Sequence, residues 1–491
     1  MNDLKMQAVR GVAWTTISTI FRSIVSLLQI SILTRYLSKE DFGIVAIATL
    51  FIGFTQIFIY LGLSSGILHI KNITRKEYSS LFWLNCLTGV IITLLLICIS
   101  PLIAKVYNEP SLTTILSLLS LSILFSSIGF QHATVQQKKF HFKHIAAITI
   151  VSSALTLVLA ILLVKTGWGI YSLILSTVFN SACSNMLFLF IGLIKDNSII
   201  FHFRIKETIP FLKIGVYSLG TNILDYFSRE IDIILVSSFL GIETLGIYSL
   251  CKKIVTMIYG AIGPILNGVF TPFLANMQDD INHLRGLYYR LIESISLITS
   301  PIFFLVAIFS AFILTILYGT DYAEYGKILS IMSVNYAALS TGCLVTPLQI
   351  SLGRTDSGFY WTICRILLSM FFVFVGVQFN LMSVTISLLA MHFFALPISW
   401  HITIRPLIKG IFREYFITCN KVILYSLLLA IPFYTFFHSN NNIFLIFIAA
   451  IGYLVLYISI ALNRFGDSYT VGIVVEVFNA FCSRIKLKKE Y

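Results

Sequence analysis

Polar and charged side chains recur along one face of the first long apolar segment, where they could bind a charged solute inside a membrane. They lie three or four residues apart, which is the spacing that places side chains on one side of an α-helix. The set is Thr15, Ser18, Arg22, Ser26 and Gln29. Lipid would reject such a face, and an arginine inside a membrane helix is typical of a path for a charged substrate. The stripe therefore predicts a polar cavity that contains Arg22.

A second stripe repeats the first one 203 residues later in the chain. It consists of Ser218, Thr221, Asp225, Arg229 and Asp232. The same offset aligns LSKEDFG at 37–43 with LGIETLG at 240–246. Transporters are often built from two internal repeats that hold the substrate between them, near the middle of the bilayer. The repeat therefore predicts two membrane bundles of one design.

Composition places the chain among membrane proteins. Of its 491 residues, 57% are hydrophobic and 11% are charged, and the mean hydropathy is +0.91. A soluble protein carries about 25% charged residues. The apolar stretches are long enough to cross a bilayer, at about 20 residues each, and they do not alternate as the strands of a β-barrel would. We predict an all-α polytopic membrane protein with about 14 transmembrane helices.

The predicted spans divide the chain into four parts. Residues 1–194 form an N-lobe of spans 1–6, and residues 213–404 form a C-lobe of spans 7–12, related to the first by a pseudo-twofold repeat. Residues 195–212 join the lobes, as a plain linker or as an amphipathic stretch, with Pro210 at the start of the next helix, where proline is tolerated. Residues 405–491 carry spans 13 and 14 and a basic tail, and have no counterpart in the repeat.

Basic residues predict the orientation. One set of loops contains 24 Lys and Arg and the opposite set contains five. Because Lys and Arg concentrate in cytoplasmic loops, both termini are expected in the cytoplasm. The net charge of +13 is thus a topology signal, and its spread over many loops argues against nucleic-acid binding. The eight cysteines have no metal-site spacing and are expected to pack as small apolar residues.

Several charges fall inside the predicted spans. They are Arg22, Asp225, Arg229, Glu230, Asp232, Lys252, Lys253, Glu293 and Arg365. Each costs about 2.5–3.5 kcal/mol at the bilayer centre, so most must face the protein interior, water or one another. Two alternatives stay open for Asp225, which could neutralise Arg229 on its own helix or form a gate-like ion pair with Arg22. Glu293 could pair with a nearby cation.

Three segments resemble the multidrug/oligosaccharidyl-lipid/polysaccharide exporter superfamily, and most of all its Wzx-type and colanic-acid-exporter-like polysaccharide flippases. The segments are AVRGVAWTTISTIFRSIVSLLQISILTRYLSKEDFGIVAIA at 8–48, VQQKKFHFKHIAAITIVSSALTLVLAILLVKTGWGIYSLI at 135–174 and TPFLANMQDDINHLRGLYYR at 271–290. The resemblance implies two six-helix lobes around a central cavity. It also implies movement of an undecaprenyl-pyrophosphate-linked oligosaccharide to the outer leaflet, for O-antigen, capsule or exopolysaccharide synthesis.

The resemblance also suggests roles for the intramembrane residues. Cationic side chains of the cavity would hold the pyrophosphate, and the candidates are Arg22, Arg229, Lys252, Lys253 and Arg365. The uncharged residues of both stripes would bind the sugar. The acids Asp225, Asp232 and Glu293 depart from a purely cationic cavity, which favours a gate or a site for proton or sodium coupling. Membrane lipids and polysaccharide polymerase or assembly proteins are the expected partners, and no cofactor is expected.

Two other functions remain compatible with parts of the sequence. A cation-coupled drug or small-molecule antiporter of the same superfamily would use the three acids. A membrane glycosyltransferase or polymerase would need a large loop or a cytoplasmic sugar-nucleotide domain, and the chain offers neither. We therefore expect a transporter and not an enzyme.

Overall fold

The chain folds into α-helices that form two compact units, residues Met1–Leu250 and Cys251–Tyr491. The structure is a computed structural model, and it describes residues 2–60, 66–67, 70, 73–196, 199–275, 277, 280–437 and 443–464. The side chains of some helical residues, Ser218 among them, lie outside this description. No β-strand occurs in the described ranges, as the composition predicts.

The first unit contains seven complete helices and the start of an eighth among its described residues. They are α1 (Asn2–Leu33), α2 (Lys39–Tyr60), α3 (Arg75–Val106), α4 (Ser111–Lys138), α5 (Phe142–Lys165), α6 (Tyr171–Asp196), α7 (Ile205–Phe239) and α8 (Ile242–Ala275), which runs on past Leu250. Helix α4 packs against α3 and α6, α1 against α5, and α2 against both α4 and α7. The α2–α7 contact thus joins a helix of the predicted N-lobe to one of the predicted C-lobe.

The second unit continues from α8 with nine further helices in its described part. They are α9 (Ile281–Ile308), α10 (Ser310–Tyr318), α11 (Gly326–Thr341), α12 (Val345–Ser351), α13 (Thr355–Val377), α14 (Leu381–Ser399), α15 (Arg405–Ile408), α16 (Phe412–Phe437) and α17 (Ile443–Arg464). Short 3₁₀ segments cover Thr320–Tyr325 and Gly342–Leu344, and a π-helical turn covers Trp400–Ile404. Helix α9 packs against α11 and α16, and α13 against α14.

Twelve segments of the described chain are long and apolar enough to cross a membrane. Helices α7 and α8 add two elements of 35 and 34 residues, each longer than the roughly 20 residues that a bilayer requires. The elements agree with the 14 predicted spans, with two corrections to their continuity. Span 9, predicted at 287–318, breaks at Phe309, and span 10, predicted at 328–351, breaks at Gly342–Leu344. In the second case the next helix restarts just before Pro347, because proline has no N–H to donate but fits the first turn of a helix.

The connection between the predicted lobes is anchored on α3. The backbone N–H of Ile200 donates to Ser79 Oγ at 3.0 Å, and that of Arg204 donates to Ser80 Oγ at 3.1 Å. Ser80 Oγ in turn donates to Glu207 Oε2 at 2.7 Å, and His202 Nε2 lies 2.9 Å from Glu207 Oε1. The hydrogen bonds from Ser80 and His202 lower the pKa of Glu207.

This anchor moves the start of α7 ahead of its predicted position. The helix begins at Ile205 and carries Pro210 inside it, so the prediction that Pro210 starts the helix is wrong. Phe211 is buried against Leu81 and Ile67, so the first turns of α7 are held by packing as well as by the Ser80 bonds. Packing of this kind overrides a local proline signal, because it offsets the one hydrogen bond that proline removes.

We expect Ser80→Ala to speed hydrogen exchange at the Arg204 amide roughly fivefold, because one net hydrogen bond is lost. Ser79→Ala is the matched control and should act on Ile200 instead. The hydrogen bonds that the Glu207 carboxylate accepts lower its folded-state pKa. Their contribution to the stability of the anchor is therefore complete above the unfolded pKa of the carboxyl group, and it is lost as the pH falls through the folded-state pKa. Exchange at Arg204 that is unchanged in Ser80→Ala would contradict the proposed anchor.

Candidate functional site

The predicted stripe on α1 divides into residues that the fold already satisfies and residues that it leaves exposed. Thr15 Oγ1 donates to Gly11 O at 2.9 Å, and Ser18 Oγ donates to Thr15 O at 3.0 Å. Gln29 Nε2 donates to Ser176 Oγ on α6 at 2.9 Å. Ser26 is half-buried and Arg22 is exposed. The stripe therefore forms one face of α1, and Arg22 is the exposed residue among its five members.

Arg22 lies on the face of α1 that is roughly opposite the apolar one. The exposed apolar residues are Ile17, Ile20, Ile24 and Leu28, each between 44% and 53% exposed. At about 100° of rotation per residue, these four side chains cluster roughly 120–160° away from Arg22. The apolar face suits lipid, and the guanidinium therefore points elsewhere. Arg22 forms no ion pair or hydrogen bond with another residue that the structure describes.

Helix α7 presents a second polar face. Thr221, Asn222 and Arg229 are exposed and Asp225 is half-buried. Steps of three, four and seven residues place them on one side of the helix. Ser218, the first residue of the predicted stripe, lies outside the described side chains. Asn222 was missed by the sequence reasoning, although its spacing of seven from Arg229 is a signal that could have identified it.

Asp225 and Arg229 neutralise each other. Arg229 Nη2 lies 2.7 Å from Asp225 Oδ2, with 67% and 38% of the two side chains exposed. In this structure Asp225 follows the first alternative, the pair with Arg229, and the gate-like pair with Arg22 stays a prediction. The i,i+4 spacing on one helix brings Arg229 to Asp225 without any tertiary contact, so Asp225 has a closer partner. Such an exposed pair contributes about 0.3–0.5 kcal/mol to stability.

Asp232 belongs to the contact between α7 and α8. It is 7% exposed, and its Oδ2 accepts a hydrogen bond of 2.5 Å from the hydroxyl of Tyr248, which is 1% exposed. Its Oδ1 accepts from the backbone N–H of Ile233 at 2.9 Å. A buried carboxylate needs such donors because burial removes its water. Asp232 is therefore a fixed part of the α7–α8 hairpin.

The second unit contains the remaining predicted charges. On α8, Lys252 is half-buried and Lys253 is exposed, as expected for neighbours that point roughly 100° apart. Arg365 is half-buried on α13. Glu293 on α9 lies against α16, where Lys421 Nζ donates to its Oε1 at 3.3 Å. Glu293 thus has a structural partner on the thirteenth span.

The fold is that of transporters of the MOP superfamily. The chain superposes on the lipid II flippase MurJ in an inward closed conformation with a TM-score of 0.74, over 92% of this chain and 99% of that one, at 17% identity. A multidrug resistance MATE family transporter of the same superfamily, in an inward-facing conformation, gives a TM-score of 0.61, over 84% of this chain and 98% of that one, at 12% identity.

Sequence comparisons define the family within this fold. Residues 32–327, more than half of the chain, match the model of the family described as polysaccharide biosynthesis protein. The chain is 24% identical to the lipopolysaccharide biosynthesis protein WzxC of Escherichia coli K12, over 85% of each chain. It is 27% identical to the teichuronic acid biosynthesis protein TuaB of Bacillus subtilis 168, over 77% of this chain and 78% of that one. The chain belongs to the polysaccharide biosynthesis protein family.

We expect Glu293→Gln to lower the stability of the protein without changing its transport activity. The pair with Lys421 is partly shielded, with 23% and 40% of the two side chains exposed, so its loss should cost roughly 1 kcal/mol. The midpoint of thermal unfolding in detergent measures this cost, with Lys327→Met as a control for removal of an exposed lysine. Loss of transport in a Glu293→Gln protein of normal stability would instead favour a coupling role.

Proposed function

We propose that the protein is a flippase that moves an undecaprenyl-pyrophosphate-linked oligosaccharide from the cytoplasmic to the outer leaflet of a bacterial inner membrane. The observation that carries the proposal is the position of Arg22. It is an exposed guanidinium in the middle of a membrane helix, on the face roughly opposite the lipid-suited one, and without an ion-pair partner among the described residues. A charge in that position needs water or an anionic ligand.

The chemistry of the substrate fits this position. A pyrophosphate cannot cross hydrocarbon unaided, and arginine binds its oxygens through two parallel N–H donors. The exposed Thr221 and Asn222 on α7 offer hydrogen bonds to a sugar. The lipid tail can remain in the bilayer while the polar head passes. Rocking of one half of the protein against the other would then open the site to one side at a time.

The other basic residues rank below Arg22 in this proposal. Arg229 Nη2 lies 2.7 Å from Asp225 Oδ2, so the Asp225 carboxylate largely offsets the charge of Arg229. Lys253 is exposed and is the second choice for the pyrophosphate, ahead of the half-buried Lys252 and Arg365. The relatives act in the synthesis of different polymers, lipopolysaccharide and teichuronic acid. The proposed substrate is therefore a lipid-linked precursor of a polysaccharide, whichever sugar it carries.

Arg22→Ala should abolish export of the surface polysaccharide while the protein inserts normally, because the pyrophosphate loses its bidentate donor. Arg22→Lys should retain part of the activity, since it keeps the charge but not the paired donors. The measurement is complementation of a deletion strain, combined with the amount of lipid-linked repeat units that accumulates on its inner leaflet.

The matched control is Lys165→Ala, which removes an exposed cation at the end of α5 and should leave export unchanged. Normal export by a well-expressed Arg22→Ala protein would show that Arg22 does not bind the substrate. If a deletion strain exports its polysaccharide normally but becomes sensitive to drugs, the flippase proposal itself is wrong.

Both termini then lie in the cytoplasm, and polysaccharide polymerase or assembly proteins are the expected partners. The 24 to five distribution of basic residues between the two sets of loops supports this orientation. A green fluorescent protein fused to the C-terminus should fluoresce, and alkaline phosphatase at the same position should be inactive. The opposite pair of results would reverse the orientation.

Cation-coupled transport is the second candidate, and one observation favours a particular residue for it. Asp232 is 7% exposed, whereas the side chains of Asp225 and Glu293 are 38% and 23% exposed. Acids inside transmembrane segments mark proton and ion pathways in transporters, which makes the buried Asp232 the candidate. If export is coupled to protons, Asp232→Asn should remove its pH dependence, and a retained pH dependence would exclude Asp232.

A further inference from the structure

The two glycines that mark the sequence repeat touch each other in the structure. Gly43 is in the first turns of α2 and Gly246 is in the first turns of α8, and both are buried. They are separated by 203 residues, which is the repeat offset. Both belong to the first compact unit. Two equivalent positions of a repeat can meet only where a pseudo-twofold axis passes, as in a self-complementary interface.

The contact is reciprocal at the level of backbone atoms. A β-carbon added at Gly43 would overlap the carbonyl oxygen of Ile242, and one added at Gly246 would overlap the carbonyl oxygen of Lys39. Lys39 and Ile242 are themselves equivalent in the repeat, each four residues before its glycine. The β-carbon at Gly246 would also lie 3.0 Å from the backbone nitrogen of Gly43. Only glycine permits helices to approach this closely.

Neighbouring contacts continue the seam along α2. Tyr226 on α7 donates its hydroxyl to the carbonyl oxygen of Leu50 at 2.5 Å, and a β-carbon at Gly53 would lie 2.8 Å from the Tyr226 hydroxyl. Phe54 packs against Tyr226 and Phe227, with ring centroids 6.2 and 5.5 Å apart. The side chain of Tyr226 therefore packs against α2.

The α7–α8 hairpin that presents Gly246 is held rigid by the buried bond between Asp232 and Tyr248. Leu245, Ile247 and Tyr248 beside the glycine are all buried. At this crossing α2 and α8 thus meet through backbone atoms. Such a contact can separate without disentangling interlocked side chains, which suits a surface that must open and close repeatedly.

We propose that the Gly43–Gly246 crossing is the extracytoplasmic gate of the transport cycle, closed in this structure and opened when the site faces outward. This inference rests on the proposed function and on its topology, which places the loops at 34–38 and 240–241 outside the cell. A side chain at either glycine keeps α2 and α8 apart and holds the protein open to the outside. The two glycines are positioning residues and do not touch the substrate.

The test uses Ser26→Cys on the α1 stripe as a reporter, in a chain whose eight native cysteines are replaced. A membrane-impermeant maleimide is applied to intact cells from outside and to inverted vesicles from the cytoplasmic side. In Gly43→Ala and in Gly246→Ala, outside labelling should rise about tenfold or more and cytoplasmic-side labelling should fall. The double variant should match the single ones, because both substitutions open one contact. Export, measured with the same glycine substitutions in the chain that keeps Ser26 and its native cysteines, should be lost in all three.

Gly286→Ala is the matched control, since a β-carbon there meets no heavy atom within 4 Å among the described residues. It should leave labelling and export unchanged. The gate proposal is wrong if outside labelling rises and cytoplasmic-side labelling does not fall. That result is expected if the substitution only loosens a contact that does not open and close during transport. The gate proposal is also wrong if inserted variants label and export normally, or if neither glycine variant inserts while Gly286→Ala does. The labelling needs no substrate, so its outcome is separate from that of Arg22→Ala.

Discussion

The cost of charge in a bilayer is the constraint on which the whole architecture depends. Each intramembrane charge costs about 2.5–3.5 kcal/mol at the bilayer centre, and the described helices deal with it in different ways. Arg229 is offset by Asp225 within one helix, and Glu293 by Lys421 across two. Asp232 is buried with a tyrosine hydroxyl. These arrangements lower the cost of the charges, whereas Arg22 is exposed and forms no ion pair with another residue that the structure describes.

Close approach of helix backbones, between α2 and α8, is a second feature of the first unit. Lipid offers no hydrophobic force between helices, so small residues and direct packing hold transmembrane helices together. At the crossing of α2 and α8 this principle acts twice, through Gly43 and Gly246. The same residues mark the repeat in the sequence. Gly43 and Gly246, which the sequence marks as equivalent positions of a repeat, are therefore also in contact, because equivalent positions meet on the axis of the repeat.

Sequence patterns predicted the number and order of the spans well and their ends less well. The 3.6-residue period and the length of the apolar runs define each helix locally, which is why α5 (Phe142–Lys165) and α13 (Thr355–Val377) lie close to the predicted spans 145–165 and 357–379. Helix α7 begins earlier than its proline suggests, since Ser80 and Phe211 anchor its first turns. That anchor joins residues about 130 positions apart, and no local pattern contains it.

The sequence by itself determined the membrane class and the repeat, because each depends on composition or on helical spacing alone. It left Asp225 with two possible partners, and the structure pairs it with Arg229. Only the tertiary structure decided which charges have distant partners. Lys421 could be matched to Glu293, Tyr248 to Asp232 and Tyr226 to Leu50 only after the helices had packed. It also decided that Gly43 rests on a backbone carbonyl of α8. Such contacts depend on interhelical distance, which the period of a helix does not encode.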